Sequence, residues 1–211
     1  MLEFNKLNIA DNFISKETAN SIHNYLKDKT HVHDPDGGHP NGVDRFPIYF
    51  KGESVFFDQP GIDEDGVYIF DLIKLIGESV GSYFNLPKDD ISLRGMTYTT
   101  YNVDQGLPAH DDWKVTKHDV YSAVLYLNDD FEGGEFIWYT KYDNHDESVR
   151  EYIKYNPKAG QLYYFQGLRN PLAVHEVLPV TSGQRACIIF FYAGPTIKDG
   201  VDEFPGTWGQ S

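Results

Sequence analysis

Apolar positions in the first part of the chain recur at helical spacing, and from Ser92 onward they recur every second residue. Ala19, Ile22 and Leu26 follow Ser15, whose hydroxyl suits an N-cap, and predict an amphipathic helix over residues 15–28. Ile69, Leu72, Ile73, Ile76, Val80, Tyr83 and Phe84 trace one face of a second helix, expected to end at Asn85, Leu86 and Pro87 because proline cannot continue the ladder. Between the helices, Thr30–Gly66 is rich in Gly, Pro and Asp and reads as a long loop holding two short strands, 46–50 and 54–57. The period-two region predicts strands at 92–101, 120–128, 135–140, 161–166, 173–180 and 185–193. Turn signals separate them at Asp104–Gly106, Gly133–Gly134, Lys158–Gly160 and Thr181–Gly183. Short strands with no helices between them make an antiparallel sandwich or barrel, so the expected fold is mainly β with α: helices packed on a jelly-roll core.

Length and charge narrow the function. The 211 residues are one domain by size, and 18 Lys+Arg against 32 Asp+Glu give a net charge of −14. That balance argues against a nucleic-acid partner and against docking on an anionic membrane. The longest apolar run, Ala186–Ala193, is far too short to span a bilayer and reads as a buried strand. With no targeting segment, a cytoplasmic location is expected. The single cysteine, Cys187, excludes an intrachain disulfide and a cysteine zinc cage.

Three residues of the β region carry the chemistry: His110, Asp112 and His175. In an extended segment residues i and i+2 point the same way, so His110 and Asp112 can reach one point in space while Asp111 faces away. Two imidazoles and one carboxylate on one face of a metal leave the opposite positions open, an arrangement suited to non-haem Fe(II). Arg185 opens an apolar strand, where an unpaired guanidinium is costly. With a hairpin centred on Thr181–Gly183, Arg185 is expected opposite Pro179, roughly 13 Å along the strand from His175. A five-carbon diacid and an arginine side chain together fill that gap.

In this order the motifs resemble the Fe(II)/2-oxoglutarate-dependent dioxygenases, in their prolyl 4-hydroxylase-like branch. The resemblance covers residues 92–194: His110-x-Asp112, the strand Ala123–Asn128, Phe131–Phe136, Pro157–Phe165, then His175 and Arg185. It implies a double-stranded β-helix core, iron ligation by His110, Asp112 and His175, and Arg185 on the distal carboxylate of 2-oxoglutarate. Tyr126 resembles a tyrosine that bonds the same carboxylate, and Tyr101 a pocket tyrosine shortly before the His-x-Asp. The expected cofactor is Fe(2+), with 2-oxoglutarate as co-substrate; the resemblance also admits ascorbate.

The activity so implied is hydroxylation of an unactivated C–H bond with O2, on a prolyl residue of a peptide or protein, or alternatively on a free amino acid or other small molecule. A metal-binding cupin-like isomerase and a non-catalytic jelly-roll binding module are the alternatives of another class. The expected organisation is a single dioxygenase domain over 1–211: helical support and a candidate lid loop in 1–91, the jelly-roll catalytic core in 92–194 and a C-terminal tail in 195–211. The Tyr139–Tyr155 insertion is a second lid candidate. His31, His33 and His39 lie in a stretch that reads as a loop rather than a second metal site, and Trp113, Trp138 and Trp208 read as packing residues.

Overall fold

A computed structural model describes residues 6–29, 32–34, 43–50, 53–58, 61–83, 92–112, 120–143, 145–166 and 173–193. The first elements are β1 (Asn8–Ala10), α1 (Lys16–Leu26), β2 (Val32–Asp34), β3 (Val43–Phe50), β4 (Glu53–Ser54) and α2 (Glu64–Tyr83). The strands β5 (Ser92–Tyr101), β6 (Leu107–His110), β7 (Val120–Tyr126), β8 (Glu132–Gly133), β9 (Phe136–Lys141) and β10 (Glu151–Tyr155) follow. The last are β11 (Leu162–Gln166), β12 (His175–Val177), β13 (Val180–Ser182) and β14 (Arg185–Ala193).

Two sheets make the jelly roll. The larger runs β1-β11-β7-β14-β5-β3-β2, with β4 beside β3, and the smaller runs β10-β9-β12-β6. Alternation along β14 divides the larger sheet into two faces. Ala186, Ile188, Phe190 and Tyr192 belong to an outer core with α1 and α2. Arg185, Cys187 and Ile189 point the other way, and Cys187 and Ile189 pack into an inner core with Phe136, Trp138 and Val177 of the smaller sheet. α1 begins where Ser15 accepts from the Thr18 backbone N–H, and it buries Ala19, Ile22 and Leu26. α2 buries Ile69, Phe70, Ile73, Ile76 and Val80, and Tyr192 donates to the Gly77 carbonyl at 2.8 Å. The helices therefore brace the sheet from outside and leave its inner face to the site.

Strands β5 and β14 have the expected bounds. Three expectations need correction. In Thr30–Gly66 the strand expected at 46–50 begins earlier, at Val43, and pairs along β5 from Asp44↔Thr100 to Phe50↔Gly95, so it widens the larger sheet, while the strand expected at 54–57 is the short β4. The Tyr139–Tyr155 insertion is bounded by β9 and β10 paired with each other, a two-stranded extension with Tyr152 and Ile153 exposed. The turn at Thr181–Gly183 closes no hairpin. β12 pairs β9 and β6, β13 pairs β8, and β14 pairs β5 and β7, so the chain changes sheets there. Arg185 consequently faces Tyr101, not Pro179. α2 also starts earlier than its apolar face suggested, with Glu64 and Asp65 in its first turn, where acidic groups meet the positive end of the helix dipole. Its expected end at Asn85–Pro87 and the tail 195–211 lie outside the described residues.

Candidate active site

The smaller sheet brings its chemistry together by register. His175, the first residue of β12, pairs directly with His110, the last residue of β6, so the imidazoles stand side by side with centroids 4.3 Å apart. Asp112 follows β6 and sets its Oδ1 3.8 Å from His110 Nε2. One ligand-capable atom from each of His110, Asp112 and His175 lies within 4.8 Å of the others, as donors to a common ion would.

Orientation is set by three hydrogen bonds. His110 Nδ1 lies 2.7 Å from the Pro108 carbonyl oxygen and His175 Nδ1 lies 3.0 Å from that of Ala173. A carbonyl can only accept, so Nδ1 carries a proton in both rings, and Nε2 is the nitrogen whose lone pair a metal would use. The buried Ser122 hydroxyl of β7 donates to Asp112 Oδ2, leaving Oδ1 toward the histidines. Phe136, Phe165 and Trp138 surround the His175 ring. Their desolvation, reinforced by the neighbouring His110, pushes the His175 pKa down to about 4, so the ring is neutral near pH 7.

Across the inner space, the larger sheet holds the cation. Arg185 is 1% exposed, and its guanidinium carbon sits 4.5 Å from the Tyr101 ring centroid and 5.0 Å from that of Tyr126. Nη2 donates to the Tyr126 hydroxyl at 3.2 Å, while Nε and Nη1 are buried with no hydrogen-bond partner among the described residues. Burial raises the pKa of Tyr126 and Tyr101, so both stay neutral phenols. A buried cation without an acid is costly. The donors left over suit an incoming carboxylate.

All six residues expected from the sequence therefore line the inner face in two groups, one per sheet. Asp111 is not in the metal-competent group, and its Oδ1 is buried without a partner. His31, His39, Trp113 and Trp208 lie outside the described residues, and Trp138 is packed beside His175. Sequence reasoning missed Ser122, whose strand position carries no signal of what it touches. It also missed the role of Asn128, which donates to the Gln184 carbonyl at 2.6 Å and accepts from the Ala186 N–H at 2.8 Å, fixing both neighbours of Arg185.

Residues 96–193 match the family model of the 2OG-Fe(II) oxygenase superfamily. That segment, just under half of the chain, holds all six of the expected site residues and is similar to a 2OG-Fe(II) oxygenase domain. The family is named for Fe(II) and 2-oxoglutarate, and the donor set and the two arginine nitrogens left without a hydrogen bond among the described residues fit both. Among curated proteins, prolyl 3-hydroxylase 2 of Rattus norvegicus is 47% identical over 73 residues, 34% of this chain and 9% of that protein. Among solved structures, a 2OG-Fe(II) oxygenase family oxidoreductase from Burkholderia pseudomallei superposes with a TM-score of 0.65 at 17% identity, covering 89% of this chain and 85% of that one. A prolyl hydroxylase from Trichoplax adhaerens, solved with a hypoxia inducible factor peptide fragment, gives 0.63 at 19% identity, covering 90% and 84%. These two share the fold of this chain. No helix among the described residues is long and apolar enough to cross a membrane.

Proposed function

We propose that this oxygenase domain hydroxylates an unactivated C–H bond, with a prolyl residue of a peptide or protein as substrate. The observation that carries the reading is the pairing of a two-histidine, one-aspartate group on one sheet with a buried arginine on the sheet opposite that has no acid partner among the described residues. A cupin-like isomerase needs no such cation, and a binding module needs no converging ligands. The prolyl substrate is supported by the similarity to prolyl 3-hydroxylase 2, although the matching segment spans only 9% of that protein.

When bound, Fe(II) and 2-oxoglutarate would let O2 serve as the oxidant, one of its oxygen atoms ending in succinate as 2-oxoglutarate loses CO2 and the other in the hydroxylated C–H bond. The chain's own part is placement. His110 and His175 would offer their Nε2 atoms because their Nδ1 protons are held by backbone carbonyls, and Asp112 would offer Oδ1. Arg185 presents Nε–H and Nη1–H to the distal carboxylate of the co-substrate, while the Tyr126 phenol steadies Nη2. Phe136, Phe165 and Trp138 keep water from the His175 side.

The test is to incubate the protein with Fe(II), 2-oxoglutarate and either a proline-containing peptide or free proline, reading succinate and the mass gain of one oxygen atom. Oxygen added to the peptide, and lost in Asp112→Ala, is the expected result. Oxygen added only to free proline would overturn the peptide reading, and no succinate with any substrate would overturn the hydroxylase reading.

A further inference from the structure

Each of the three ligand-capable side chains is held by one hydrogen bond, and the three bonds differ in kind. Those on His110 and His175 go to the carbonyls of Pro108 and Ala173, two residues back in the same strand segment. They are local and come with the backbone. Asp112 has no such local partner among the described residues. It sits past the end of β6, and its Oδ2 is held from the opposite sheet by the hydroxyl of Ser122 on β7. Asp111, the preceding residue, has a carboxylate oxygen buried and without a hydrogen-bond partner among the described residues, so a second acid stands beside the first.

The geometry points to Ser122 as a positioning residue that makes Asp112 the metal-binding carboxylate and fixes it to bind through Oδ1 alone. This rests on the reading of His110, Asp112 and His175 as metal ligands. With its hydroxyl donated to Oδ2, Ser122 both occupies the oxygen that would otherwise turn toward the ion and aims Oδ1 at the side where His110 Nε2 lies 3.8 Å away. Ser122 is itself 1% exposed, on the inner face of a central strand paired on both sides by β11 and β14. Its hydroxyl is therefore a rigid support, and it is a side chain that can be removed with little change in volume. Partners that orient a metal ligand typically contribute about 10–100-fold to metal affinity.

The experiment is a titration of the full chain with Co(II), followed by its visible absorption, in wild type, Ser122→Ala, Asp112→Ala and the double variant. Thermal unfolding of each metal-free protein checks that it is folded. Ser122→Ala is expected to weaken Co(II) binding about 10–100-fold. In the Asp112→Ala background the same change is expected to do nothing, because Ser122 acts through that carboxylate. Ser122→Thr, which keeps the hydroxyl, is expected to restore most of the affinity. Unchanged affinity in Ser122→Ala, or an equal loss with and without Asp112, would overturn the role of Ser122 while leaving the metal reading intact. Failure of the wild-type chain to bind Co(II) would overturn both.

Discussion

Arg185 and Tyr101 pair in register across β14 and β5, and the guanidinium carbon lies 4.5 Å from the tyrosine ring centroid. Aromatic faces thus compensate part of a buried charge that has no acid partner among the described residues, and an incoming anion would relieve the remaining cost. Arg185→Met should abolish 2-oxoglutarate binding while Co(II) binding persists. The same variant should unfold at an equal or higher temperature without ligands, because replacing a poorly compensated buried charge with an apolar chain is neutral or stabilising by about 1–4 kcal/mol. Calorimetry of the ligand-free protein and titration with 2-oxoglutarate check the two halves.

Tyr126→Phe removes one hydroxyl from Arg185 and keeps the ring. Loss of a single hydrogen bond of about 0.5–1.5 kcal/mol should weaken 2-oxoglutarate binding about 2–10-fold, far less than loss of the arginine. A titration showing an equal loss for both variants would place the tyrosine, not the guanidinium, at the centre of the clamp.

The neutral His175 gives the metal-free protein a pH dependence. Its folded pKa is depressed from 6.5 to about 4, chiefly by burial, so below pH 6.5 the unfolded chain takes up a proton that the folded chain refuses. The stabilisation is whole above 6.5, falls through the window down to about 4 and levels off below it, with a slope no steeper than about 1.4 kcal/mol per pH unit from this group. Urea unfolding of metal-free wild type and His175→Asn across that window measures it. The variant should lose this component of the slope.

Two glycines should respond oppositely to alanine. Gly133 has φ +71, and a Cβ there would lie 2.4 Å from the Pro179 carbonyl oxygen, so Gly133→Ala should destabilise by at least the roughly 1–2 kcal/mol of the left-handed conformation. Gly81 in α2 has nothing within 4 Å of a Cβ, and Gly81→Ala should stabilise by about 0.4–1 kcal/mol. Urea midpoints of the two variants check the contrast.

The parts of this fold legible in the sequence are those whose pattern is long enough to have a period. β5 and β14 extend over nine residues or more, so their alternation marks both ends. The strands β8 and β13 are too short to show any period and exist only because the chain crosses between sheets. β10 reads as a polar insertion because most of its side chains are exposed, and only its pairing with β9 makes it a strand. The same limit applies at the site. His110, Asp112, His175 and Arg185 are residue types that stand out in a β region, and the spacing of the first two fixes their common side. Ser122 is an ordinary strand residue until the opposite sheet brings Asp112 to it. The partner of Arg185 was misplaced for a related reason: a turn signal at Thr181–Gly183 looks the same whether the chain folds back on itself or passes to another sheet.

Fe(II) and 2-oxoglutarate are expected to bind together between the sheets, on ligands from one sheet and a cation from the other. The most direct test is the visible metal-to-ligand charge-transfer band on adding Fe(II) and 2-oxoglutarate without oxygen. The band should appear in the wild-type chain and be lost in both Asp112→Ala and Arg185→Ala. Metal binding without the band in wild type, or an undiminished band in Arg185→Ala, would contradict the account.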